Sequence, residues 1–209
     1  MRYQNLLEGN NTKCIIVDVQ PAYEPYINFE MGDLVRFIAS QNAEMLMFVN
    51  ADDTGLTDDN INSDIIPWWG DKFEDEDLDF TADGLQQMTF IDKGYGYFRA
   101  WMDQGVSDGA VIKTIRELYN QKKTDTRELF GGEESEHYVE QMQQLIGNEW
   151  DEWMIDDGLN VEWTSVGQLK KFSGAYLMGG GRDECLKEVE LLMNAFNIKY
   201  KRVEDFVYG

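Results

Sequence analysis

Ala175 to Glu190, AYLMGGGRDECLKEVE, opens as a short apolar run, passes through three consecutive glycines and continues with apolar and charged residues at helical spacing. It reads as strand, hinge and helix, with Cys185 in the first turn of the helix. A thiol there meets exposed backbone N–H groups and the positive end of the helix dipole, which favour the thiolate and offer donors to an oxyanion. Gly179, Gly180 and Gly181 suit a strand that turns sharply and lets another group approach its backbone. The same residues also suit a plain tight turn between a strand and a helix.

Working outward, Lys13 to Gln20, KCIIVDVQ, is a β-branched run that reads as a buried central strand. Asp18 falls at its carboxyl end, the edge where open α/β sheets place ligands. Met31 to Asn42 carries apolar residues at helical spacing and leads into a second strand, Met45 to Asn50. Met88 to Ile91 is a third strand, running into Asp92, Lys93 and GYGYF. Asp108 to Tyr119 is an amphipathic helix with Asp108 as its cap. Val166 to Phe172 is a short helix, Gly174 to Met178 a fourth strand, Arg182 to Phe196 a helix and Ile198 to Val203 a fifth strand. The expectation is an α/β protein: a three-layer α/β/α arrangement around a mostly parallel sheet of five or six strands.

Two stretches stand apart. Ala51 to Asp83 is rich in Asp, Asn, Gly and Trp and reads as a long loop with short helical turns at most. Asp52 and Asp53 there could hold a hard cation or form a solvated acidic turn, and Trp68 and Trp69 could stack on a ligand or fill the core. Asn120 to Thr164, charged and amide-rich, contains an expected helix from Glu133 to Ile146. Trp150, Trp153 and Trp163 give it apolar anchors, so it reads as a folded acidic insertion, a lid or partner surface, within a single domain spanning 1–209.

Forty Asp and Glu against eighteen Lys and Arg give a net charge of -22, which argues against nucleic acid or an anionic membrane as partner. No leading segment resembles a signal peptide, and no window approaches the roughly twenty apolar residues that cross a bilayer. Cys14 and Cys185 are the only cysteines, which fits a reducing, cytoplasmic setting. His137 is the only histidine, so metal sites built on several imidazoles are excluded within one chain, and its place in a polar, surface-like helix argues against a His-assisted nucleophile. No metal or cofactor is expected.

Three stretches together resemble the isochorismatase-like cysteine hydrolases: DVQ at Asp18 to Gln20, IDKGYGYF containing Lys93 and Phe98, and GGGRDEC ending in Cys185. The resemblance covers roughly residues 13–50, 88–119 and 166–205, with the acidic loop and the insertion outside it. Gly179 and Asp183 also match the pattern, whereas Arg182, Gly180, Gly181 and Glu184 depart from it. The metal-holding histidines of the nicotinamidase branch are absent. The fifth strand stands where the family continues to a sixth, making Phe206 to Gly209 at most a remnant of that strand.

The resemblance implies a catalytic triad: Cys185 as nucleophile, Lys93 lowering its thiol pKa, and Asp18 carrying the proton to the leaving nitrogen. Gly181 and Cys185 would supply the oxyanion-hole N–H groups. Arg182 would reinforce the positive potential, with Asp183 and Glu184 opposing it. The implied substrate is a small neutral or cationic molecule with an amide-like carbon–nitrogen bond, turned over by a soluble homo-oligomer. The rival reading is a catalytically inactive acidic protein on the same scaffold, binding a basic protein partner.

Overall fold

The computed structural model describes residues 12–41, 43–49, 61–80, 88–92, 98–147 and 158–209. Five strands form one all-parallel sheet: β1 (Lys13–Val17), β2 (Glu44–Val49), β3 (Met88–Asp92), β4 (Ala175–Gly179) and β5 (Tyr200–Val207), in the order β3-β2-β1-β4-β5. β1 is therefore central, and the chain winds outward from it in both directions. Its register sets Val17 opposite Phe48 on one side and Gly179 on the other.

Both faces of the central strands are buried, which explains apolar runs without alternation. Cys14, Ile16, Met45, Met47 and Met178 join one core cluster, while Ile15, Val17, Leu46, Phe48 and Leu177 point the other way and are equally inaccessible. Burial pushes the Cys14 thiol up to about 12, so this cysteine is an inert core residue.

The chain divides into two compact units. The first, Met1–Tyr95 with Phe172–Leu186 and Tyr200–Gly209, holds the whole sheet together with α1 (Met31–Gln41) and α2 (Ile66–Glu74). Leu34, Val35, Phe37 and Ile38 of α1 and Trp69 and Phe73 of α2 enter the cluster just described. Phe206 closes it, with its ring 5.6 Å from those of both Phe29 and Phe37.

Helix α2 corrects the reading of residues 51–83 as a loop with short turns. Ile61, Ile65, Trp69 and Phe73 recur every four residues, a helical period diluted by polar neighbours. A π turn at Ile61–Ile65 leads in, and Pro67 sits in the first turn, where a missing N–H costs nothing. Trp69 is fully buried core. Trp68 donates to Glu24 at 3.1 Å and carries Lys72 over its ring, so both tryptophans serve packing. Asp52 and Asp53 lie outside the described residues.

The second unit, Gly96–Lys171 with Lys187–Lys199, contains α3 (Arg99–Asp103), α4 (Asp108–Gln121), α5 (Tyr138–Ile146) and α6 (Trp163–Lys171), and most of α7 (Cys185–Ala195). Ser107, not Asp108, caps α4, accepting the Ala110 N–H, while the Asp108 carboxylate pairs with Lys187. Helix α5 begins five residues later than expected from the sequence, because the acidic run from Glu133 is spent in turns after Gly131 and Gly132. Like charges at helical spacing would weaken a helix there.

Within 120–164, Asp125 and Asn160 form a bridge, the Thr126 N–H donates to Leu159 at 3.1 Å, and the Tyr138 hydroxyl donates to the Thr126 carbonyl at 3.1 Å. Trp163 packs edge-on against Tyr119 and Phe196, with Lys170 over the latter two rings. Trp150 and Trp153 lie outside the described residues. Among the described residues, no helix is long and apolar enough to cross a membrane.

Candidate active site

The sheet order reverses between β1 and β4, and at such a reversal the loops leaving the two strands diverge and open a crevice at their carboxyl ends. Asp18 leaves β1 and Gly179 to Cys185 leave β4 at this point. Gly179 shows why glycine is required: its φ is +96°, and a Cβ would lie 2.2 Å from the Val17 carbonyl oxygen. The Gly180 N–H then donates to that same oxygen at 2.6 Å, locking the β4 loop onto the end of β1.

The Gly181 carbonyl accepts from Glu184 at 3.0 Å and Leu186 at 3.2 Å, turning the chain into α7. Cys185 is the first residue of that helix and is half-buried. The expected helix start at Arg182 is thus replaced by a turn, and the thiol stays within the helix N-terminal turn. The expected oxyanion donors, the N–H groups of Gly181 and Cys185, lie on this loop and helix start.

Asp18 is 1% exposed and adopts a left-handed backbone, φ +52°, uncommon for a residue with a side chain. Two bonds hold that backbone. Its N–H donates to the Phe48 carbonyl at 2.8 Å, and its carbonyl accepts the Tyr208 hydroxyl at 2.7 Å. Tyr208 also reaches the cysteine loop, because its own carbonyl accepts the Arg182 N–H at 2.9 Å.

Tyr208 is the residue that the sequence reading missed. Instead of a remnant of a further strand, Phe206 and Val207 complete β5, and Tyr208 turns back over the switch point. An irregularity in β5 makes this turn: the register jumps from Leu177 opposite Arg202 to Gly179 opposite Val207. Burial first, and then the charges of Asp18, Cys185, Tyr23 and Glu184, push the Tyr208 phenol well above the ordinary tyrosine range. The available signal was an aromatic at the ligand edge immediately after an apolar strand end.

Arg182 is engaged by an acidic partner. Its guanidinium binds Glu204 at 2.6 Å, on the surface. Glu184 instead folds against Gly181, close enough that a Cβ there would meet its Oε2 at 3.0 Å. The carboxylate nearest this loop is thus that of Glu184, while the Arg182 cation is paired with Glu204.

Lys93 lies outside the described residues, while Phe98, from the same motif, is buried. In the second unit its N–H, at the start of α3, donates to the Glu188 carboxylate at 2.7 Å. Glu188 follows Cys185 by three residues in α7, and sequence reasoning gave it no part. His137 is exposed, 3.9 Å from Glu140. Among the described residues, no group of three or more His, Cys, Asp or Glu is placed to hold a metal ion.

No protein-family model matches the chain, and neither a curated protein nor a solved structure matches it.

Proposed function

We propose that the protein is a cysteine-dependent hydrolase of isochorismatase-like, three-layer α/β/α architecture, with Asp18, Lys93 and Cys185 as its triad and 120–164 as an acidic insertion. The Cys185 thiolate attacks the carbon of an amide-like C–N bond. The resulting tetrahedral oxyanion is held by the N–H groups of Gly181 and Cys185. Asp18, having taken the thiol proton, passes it to the departing nitrogen as the intermediate collapses to a thioester. Asp18 then takes a proton from water, whose oxygen attacks the thioester carbon, and returns that proton to the sulfur as the C–S bond breaks and the acid is released. Lys93 supplies the cation that lowers the thiol pKa. The net charge of -22 favours a small neutral or cationic substrate.

The supporting observation is that Asp18 and the loop leading to Cys185, from remote parts of the chain, flank the β1/β4 reversal and are both hydrogen-bonded to Tyr208. The test is alkylation of Cys185 across pH in the wild type and in Lys93→Ala. Cys14 is buried and stays a thiol, so the native protein reports Cys185 alone. The expected midpoint lies below the free value of about 8.5 and rises in Lys93→Ala.

A second reading has an observation of its own: Arg182 is engaged by Glu204, and Glu184 brings negative charge to the loop beside Cys185. It makes the protein an inactive scaffold that binds a basic partner. A wild-type midpoint at or above the free value, unchanged in Lys93→Ala, selects it.

A further inference from the structure

The hydroxyl of Tyr208 and its backbone carbonyl engage the two loops that leave β1 and β4. The hydroxyl donates to the Asp18 carbonyl at 2.7 Å, and the carbonyl accepts the Arg182 N–H at 2.9 Å, three residues before Cys185. Asp18 needs such a hold, because a left-handed backbone at a residue with a side chain persists only where its surroundings enforce it. The Phe48 carbonyl fixes the N–H side of the residue, and Tyr208 fixes the carbonyl side.

We infer that Tyr208 is a positioning residue: a clasp between the acid at the end of β1 and the cysteine-bearing loop after β4, which sets where the Asp18 carboxylate stands relative to Cys185. This rests on the hydrolase reading for its purpose, though not for its geometry. The phenol is buried, and burial with the neighbouring negative charges pushes its pKa up, which favours the protonated, donating form that the bond to the Asp18 carbonyl needs. Substrate need not touch Tyr208. Its effect passes through Asp18.

The test is carbon NMR of aspartate-labelled full-length protein, with the Asp18 carboxyl resonance assigned by its loss in Asp18→Asn. Its titration is followed in the wild type, in Tyr208→Phe and in the control Tyr26→Phe, at a residue 67% exposed. Tyr208→Phe should change the proton affinity of Asp18 by about threefold or more, the scale of one hydrogen bond, while Tyr26→Phe changes nothing. If Tyr208→Phe does not fold, a ring-fluorinated tyrosine at 208 keeps the shape and strengthens the donor. It should shift the Asp18 titration measurably from the wild-type curve. An Asp18 curve unmoved in the folded variant overturns the inference. Thermal midpoints of the same samples separate this from packing: a stability loss with an unchanged Asp18 titration means that Tyr208 is only structural. Cys185 alkylation that ignores Lys93 removes the hydrolase reading without touching this result.

Discussion

Asp125 in the second unit and Asp18 in the first are both buried aspartates, the one gripped at its carboxylate by an arginine, the other in a left-handed backbone that its neighbours hold. The Asp125 carboxylate is gripped directly, accepting the Arg127 backbone N–H at 2.7 Å and the guanidinium Nε at 2.9 and 3.0 Å, with Nη2 on the second oxygen. Burial alone would push this carboxyl up, yet the Arg127 hydrogen bonds and charge outweigh it and hold it below the ordinary range. At Asp18 the backbone is gripped as well: its N–H donates to the Phe48 carbonyl and its carbonyl accepts the Tyr208 hydroxyl. A carboxylate neutralised by its own arginine serves stability. The one at the strand end, held through its main chain, is the carboxylate proposed above to carry the proton.

The largest expected effect breaks the Asp18 side of this contrast. Gly179→Ala would drive a methyl into Val17 backbone atoms and should destabilise the protein by about 3 to 5 kcal/mol in urea melts. If the change is tolerated, the strand ends are not locked as described. Glu188→Leu comes next. It leaves the buried Phe98 N–H without this acceptor and should cost about 1 to 3 kcal/mol by the same measurement.

Asp125→Asn sharpens the other side, with an expected loss of about 1.5 to 3 kcal/mol at pH 7. Because the folded carboxyl lies below its usual value, that stabilisation is full above the unfolded value of about 3.9. It disappears as the pH falls through the lower folded value. Denaturation at pH 7 and at pH 3 checks the sign: the gap between wild type and Asp125→Asn should narrow in acid. A gap independent of pH would mean that Asp125 acts through shape and not charge.

The smallest effect has the opposite sign. Gly167 lies within α6, and a Cβ there meets nothing within 4 Å, so Gly167→Ala should stabilise by roughly 0.5 to 1 kcal/mol. Set against Gly179→Ala, it shows whether glycine at the switch point is a requirement of the site.

The sheet was legible because buried parallel strands write unbroken apolar runs, as in KCIIV and MLMFV. Cys185 at a helix start was legible from a strand, glycines and helical spacing in succession. Helix α2 was not, since four anchors spaced by four were hidden among aspartates, asparagines and glycine. Tyr208 was missed for another reason: its role depends on an irregularity in β5 that turns the chain back, and no local pattern announces that jump. Glu188 was missed because a carboxylate on a helix normally faces solvent, and here its partner is a backbone N–H ninety residues earlier.

The measurement closest to the centre of this account is the titration of Cys185 in the wild type and in Asp18→Asn, read by the pH dependence of alkylation. If the two groups share one crevice, removing the carboxylate charge beside the thiol eases its ionisation and lowers the midpoint by roughly one pH unit. Identical curves for the two proteins would mean that acid and thiol do not sense each other, and the proposed proton transfer would have no route.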